Sequence, residues 1–311
     1  MTKTTGVFIV VLILASLVPT IPARAQTLLG GRAPIFFIAT NTGLVRVSNG
    51  NKTLAFPIAA GAIKVFKLHR NIFVLAGDGE LLELRLSNNL QRVESEQSLG
   101  NFGSPAPNSF VVRSNEVLAS SGCGINEYDL RGGSLTLVSV HPVGIVTDIK
   151  LDSQGRLYFL DPFLEQIKVV QPASTGELDW TSSQAIALND RLINPTTLGI
   201  GGKDRVIVGS AAEGAANMPI CDGEGVLQSP PGHPEHIFSR VQLVLDAEPM
   251  TLVEGDPLMP SGASALAGVG KTVYFMTPTT SGGFAIFATS TRAPILTSGD
   301  NEVWNDFIVV Q

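Results

Sequence analysis

The chain has 311 residues, with 21 Lys or Arg against 27 Asp or Glu; its net charge is −6, its charged share only 15% and its apolar share 44%. Those figures exclude a disordered chain, which combines low hydrophobicity with high net charge. They also exclude an electrostatic nucleic-acid binder, which needs a basic face.

The N-terminal stretch reads as an address. Lys3 precedes the uncharged run Val7–Val18, Pro19 and Pro22 break any helix, and Ala23-Arg24-Ala25 places small residues at the two positions a signal peptidase reads. This is the three-part pattern of a secretory signal peptide. A run of that length spans about 18 Å as a helix, short of a roughly 30 Å hydrocarbon core. Residues 1–25 are therefore expected to be removed. The product, 26–311, is expected to be secreted or periplasmic, free of the membrane, and a monomer.

Past residue 30, short β-branched and aromatic runs alternate with Gly, Asn, Asp and Ser clusters, the mark of an all-β chain. In chain order the runs predict strands at Ile63–Leu68, Ile72–Leu75 and Leu81–Leu86, then at Phe110–Arg113, Val117–Ser120 and Ile125–Leu130. The clearest unit follows: Asp148–Leu151, a tight turn at Asp152-Ser153-Gln154-Gly155, Leu157–Leu160, and Gln166–Val170. Thr197–Ile200 with Val206–Val208 make another, as do Ala265–Val269, Val273–Met276 and Phe284–Ala288. Weaker fourth runs, such as Arg92–Ser95 and Leu135–Val140, trail these units.

The second strands start at Ile35, Ile72, Val117, Leu157, Val206 and Val273, which are 37, 45, 40, 49 and 67 residues apart. Four short strands at a period near 40 predict a β-propeller, the last interval carrying an insertion at Ser210–His236. A β-sandwich has no reason for such a period. The first unit lacks an inner strand, and the C-terminal run Val303–Gln311 can supply it beside Ile35–Ile38. The expectation is six blades in one domain, sealed by pairing the tail with the first blade so that no edge is left open.

Within the clearest unit, Thr147–Asp161 reads Asp148-Ile149-Lys150-Leu151-Asp152, then Gly155, Leu157-Tyr158-Phe159 and Asp161. This resembles the inner strands of the NHL and SMP-30/gluconolactonase-like six-bladed propellers. The resemblance implies a single divalent metal held in the channel by Glu, Asn and Asp, and hydrolysis of lactones or esters. The chain departs from that set, with Ala62 or Ser109 where an early-blade Glu would stand.

In a propeller the first inner-strand positions ring the channel mouth, and here they are Ala62, Ser109, Asp148, Thr197, Ser264 and Asp306. Asp148 and Asp306 fall three blades apart, and Asn305 and Asn194 can add oxygens. Carboxylate and amide oxygens suit Ca²⁺ or another hard divalent cation; the same carboxylates can instead accept hydrogen bonds from backbone amides at the strand starts.

Cys123 and Cys221 fall in equivalent second-to-third-strand loops, Cys221 within the insertion, and are expected to form a disulfide in an oxidising compartment. Met218, Cys221, His233 and His236 also form a soft-metal set of copper or zinc type, although their spacing matches no familiar copper loop. Ala265–Thr272 imitates a phosphate loop but continues into a strand, where a true one opens a helix. Asn51-Lys52-Thr53 is a glycosylation sequon, meaningful in a eukaryotic source. His69 and His141 have no evident partner and read as turn or solvent residues.

Three functions remain open. The first is a propeller binding a small molecule or a protein at its capped channel face. The second is a metal-dependent hydrolase of the SMP-30-like kind. The third is a cofactor-free enzyme that shapes an apolar substrate, of cycloaddition or isomerisation type.

Overall fold

The second strands of the repeats are continuous apolar runs, which form only where a sheet is covered on both faces. The structure, a computed structural model, describes residues 33–162, 164, 166–188, 195–210, 220–221, 227–228, 240–245, 248–254, 263–279, 282–289, 291 and 293–310; for 195–196 and 210–254 it describes strand pairing alone. Among these residues there are six four-stranded antiparallel sheets, one two-stranded ribbon and no α-helix.

The first sheet holds β1 (Ile35–Thr40), β2 (Gly43–Ser48) and β3 (Asn51–Pro57). The second holds β4 (Ala62–Leu68), β5 (Asn71–Ala76), β6 (Glu80–Leu86) and β7 (Val93–Asn101). The third holds β8 (Phe110–Arg113), β9 (Glu116–Ser121), β10 (Gly124–Asp129) and β11 (Thr136–His141). The fourth holds β12 (Ile149–Leu151), β13 (Leu157–Asp161), β14 (Gln166–Val170) and β15 (Gln184–Ala187). The fifth is β16 (Pro195–Gly201), β17 (Arg205–Ser210), β20 (Arg240–Leu245) and β21 (Glu248–Glu254), with the ribbon β18 (Ile220–Cys221) and β19 (Leu227–Gln228) between β17 and β20. The sixth is β22 (Ala265–Val269), β23 (Thr272–Pro278), β24 (Phe284–Ala288) and β25 (Leu296–Thr297).

The last strand, β26 (Trp304–Val310), joins the first sheet as the neighbour of β1, in the register Ile35↔Val310 through Ala39↔Asp306. β8, β14, β22 and β24 fall where the apolar runs begin and end. The phosphate-loop look-alike is a hairpin in which Val269 faces Thr272.

Side-chain alternation along each strand sends apolar groups to both neighbours. On β1, Phe36 and Ile38 pack with Tyr274, Met276 and Ile286 of the sixth sheet, whereas Phe37 and Ala39 pack with Ile72, Val74 and Leu84 of the second. The same arrangement repeats around the molecule. Phe73 and Leu75 meet Phe110 and Val112; Leu118 and Ile125 meet Leu157 and Phe159; Tyr158 and Leu160 meet Leu198 and Val208; Ile207 meets Leu266 and Phe275. Each cluster is a sheet-to-sheet contact, so the core is divided among the interfaces. Where the inner strands of the fifth and sixth sheets converge, a side chain on Gly268 would land on the Gly201 backbone. Residues 32–311 make one compact unit, and the architecture is that of a β-propeller.

Candidate functional site

The innermost strands are β26, β4, β8, β12, β16 and β22, and each lies against the next, β22 returning to β26. Polar side chains near the starts of these strands are buried: Ser109 and Asp148 immediately precede β8 and β12, and Thr197 and Asp306 are the third residues of β16 and β26. Ser109 and Asp148 are 1% exposed, Thr197 3% and Asp306 5%.

Asp148 links three sheets. Its Oδ1 accepts from Ser109 Oγ at 2.6 Å, from the Ile149 amide at 3.0 Å and from Lys150 Nζ at 2.9 Å. Its Oδ2 accepts from the Leu198 amide at 2.8 Å and Thr197 Oγ1 at 3.1 Å. Asp306 Oδ2 accepts from the Val65 amide at 3.1 Å, and Asn305 Nδ2 donates to the Ala62 carbonyl at 2.8 Å. Val65 and Leu198 are both the fourth residues of their inner strands. Each aspartate therefore bonds the corresponding amide of the following sheet. Burial drives the Asp148 carboxyl upward, but Lys150 and Lys64, with the Ser109 and Leu198 donors, bring it down to about 2. The ammonium of Lys64 loses hydration by burial, yet Asp306 and Asp148 together hold its proton more tightly than usual.

The expected divalent-cation set does not fit this arrangement. Both oxygens of Asp148 accept from N–H and O–H groups, an ammonium ion among them, and Asn305 turns its amide nitrogen to a carbonyl. Asn194 lies outside the described residues, as do Met218, His233 and His236 and the side chain of Cys221, so the soft-metal set is not described either. Among the described residues no cysteine is free. Cys123 sits in the β9–β10 turn and Cys221 on β18, both within second-to-third-strand connections.

The family-like motif of the fourth sheet is also committed to structure. Asp152 Oδ1 accepts from the Gln154 and Arg156 amides at 2.9 Å each, and its Oδ2 accepts from Tyr158 Oη at 3.2 Å. Asp161 caps the Leu164 amide at 3.0 Å and pairs with Lys168 at 3.2 Å.

His141 is not the partnerless residue that its sequence context suggests. Its Nε2 lies 2.9 Å from Glu127 Oε2, and its ring stacks on Trp180 with centroids 3.7 Å apart and planes 11° apart. Trp180 opens a short 3-10 turn in which the Asp179 carboxylate accepts from the Thr181 amide. A polar row crosses the third sheet on the face that packs against the fourth, from Arg113 through Glu116 and Glu127 to His141. Arg113 Nη1 is 3.3 Å from Glu116. Burial, reinforced by Glu127 and opposed by Arg113, pushes the Glu116 carboxyl up to about 7. A cleft of about 290 Å³ opens beside this row. The only sequence signal for it is the uncharged neighbourhood of His141; the partners come from other strands and another sheet.

No protein-family model matches the chain, and no curated protein does. Solved structures do. A chain in the crystal structure of the nidogen/laminin complex superposes with a TM-score of 0.57 at 12% identity, over 89% of this chain and 98% of that one. A quinonprotein alcohol dehydrogenase-like protein from Bacteroides thetaiotaomicron superposes with a TM-score of 0.50 at 10% identity, over 88% and 77%. These likenesses define the class as β-propeller and concern the fold alone.

Proposed function

We propose that this is an exported binding propeller: a ring of six blades, closed by β26 on β1, that presents its channel mouth and second-to-third-strand loops to a small molecule or a protein. The observation that carries this reading is the allocation of Asp148. A carboxylate with five donors, fixed between three sheets, is a structural brace and is not poised as a base, nucleophile or metal ligand. The inner-strand contacts, which run from β26 round to β22 and back, support the closed ring. The nidogen/laminin similarity adds a propeller-like chain found within a complex of two proteins.

Two further elements belong to this proposal. Residues 1–25 direct export and are cleaved, so the mature N-terminus is Gln26. Cys123 pairs with Cys221, tying the insertion of the fifth blade to the loop of the third across the channel mouth.

The test compares the purified mature protein with and without chelator, with metal analysis alongside. The binding reading expects no stoichiometric divalent ion and a Tm unchanged by EDTA or added Ca²⁺. In crystals soaked with a fragment library, ligands are expected to gather at the channel mouth. One equivalent of bound divalent ion, lost together with hydrolysis of a lactone substrate when EDTA is added, would overturn it in favour of the hydrolase.

A further inference from the structure

β11 is the outer edge of the third sheet: it pairs with β10 and, among the described residues, with no strand on its other side. Such an edge presents unpaired N–H and C=O groups, and proteins ordinarily guard it with charge or proline. Three other outer strands here are guarded. β3 carries Lys52 and Pro57, β7 carries Glu94 and Glu96, and β21 carries Glu248 and Glu254. β11 has no Lys, Arg, Asp or Glu. Its Leu137, Val138 and Val140 are 53%, 60% and 56% exposed. The outer strand β15 is also uncharged but exposes no large apolar side chain.

Directly beside this edge lies the cleft that Val138 helps to line, and its charge is unbalanced. Glu116, Glu127, Asp129 and Glu177 face it against Arg113 and Arg131. Both guanidinium groups are already paired, Arg113 with Glu116 at 3.3 Å and Arg131 with Asp129 at 2.9 Å. Burial, reinforced by the neighbouring Glu127, raises the proton affinity of Glu116.

We propose that β11 is a docking edge for an extended, Lys- or Arg-bearing segment of another protein, which adds as a fifth strand to the third sheet and sets its cations toward the acidic cleft. Main-chain hydrogen bonds supply affinity in this mode, and alternate side chains supply specificity. With strands about 4.8 Å apart, the added strand lies about 10 Å from β10, which carries Glu127. An extended lysine and a glutamate span that gap from opposite sides. A second copy of this chain is the poorer occupant, because pairing two β11 edges across a two-fold axis brings two acidic clefts together.

The proposal is tested by fluorescence anisotropy on the mature chain with a labelled peptide of alternating lysine and valine. The controls are the alternating glutamate–valine peptide and the lysine peptide with every second amide N-methylated. The lysine peptide is expected to bind, and both controls to bind about tenfold more weakly or not at all. The double variant Val138→Lys, Val140→Lys should show the same loss with its Tm unchanged. Equal binding of both charge types, indifference to N-methylation, or no binding would overturn the proposal. So would a concentration-dependent dimer that the double variant abolishes, which would assign the edge to a second copy. The chelator experiment on the channel mouth is read separately, so the two proposals fail independently.

Discussion

Asp148 shows how one side chain joins three sheets. Replacing it with Ala leaves Ser109, Thr197, the Leu198 amide and Lys150 without their acceptor in a buried place. Breaking such a pair from one side costs about 3–5 kcal/mol, to be read from urea midpoints. The pH dependence follows from the depressed carboxyl. Its folded-state value of about 2 lies below the ordinary 3.8, so its contribution is complete above roughly pH 4 and is lost as the pH falls through about 2. Acid titration of wild-type stability should show that loss, and the Asp148→Asn variant should not. Glu116 works in the opposite sense. With a folded value of about 7 against 4.5, its favourable contribution is present below about pH 4.5 and fades as the pH rises through 7. Glu116→Gln should therefore gain about 1–2 kcal/mol over wild type at pH 8, its side chain being 28% exposed, and almost nothing at pH 4.5. Thermal melts across that range check the sign.

At the scale of elements, β26 is the strand with the most to lose. It carries Trp304 and Phe307, which are 1% and 2% exposed and packed between the first and sixth sheets. Phe307→Ala is expected to cost about 3–5 kcal/mol. Truncation before Trp304 should do more, since it bares the backbone of β1 along its length and creates a new edge; aggregation measured by light scattering is the expected outcome. The elements themselves were legible wherever a strand was covered on both faces: Leu157–Asp161 is buried at every position, so its apolar run could not be read as a half-exposed strand. The outer strands were less legible. β7 runs on to Asn101, well past the expected Arg92–Ser95, because its exposed residues Glu94 to Gln97 carry no burial pattern to extend.

For the molecule as a whole, the stabilising contacts run between neighbouring sheets, and the first sheet meets the sixth both through β26, which follows the sixth sheet directly in the chain, and through β1, from the far end of the chain. The proposed Cys123–Cys221 bridge would add a second long-range tie. Closing about 98 residues constrains the unfolded chain by roughly 4–5 kcal/mol in the chain-entropy model. Reduction should then lower the Tm by on the order of 10 °C, and the intact protein should weigh about 2 Da less than its reduced form; equal masses would dispose of the bridge.

Residue order alone dictated the all-β class, the four-strand period and the tail as a partner for the first strand. These follow from local periodicity, which sheet geometry imposes directly on residue order. The use of Asp148 was decided only in three dimensions: a strand-start carboxylate suits a cation or an amide equally well until Leu198, 50 positions on, delivers its N–H from the next sheet. The row from Arg113 to His141 was likewise invisible, because its members meet diagonally across four strands, with a register shift in the β10–β11 pairing just beyond Glu127, and Trp180 arrives from another sheet. Pairing partners at such separations are set by packing, and packing is not written in the spacing of residues along a chain.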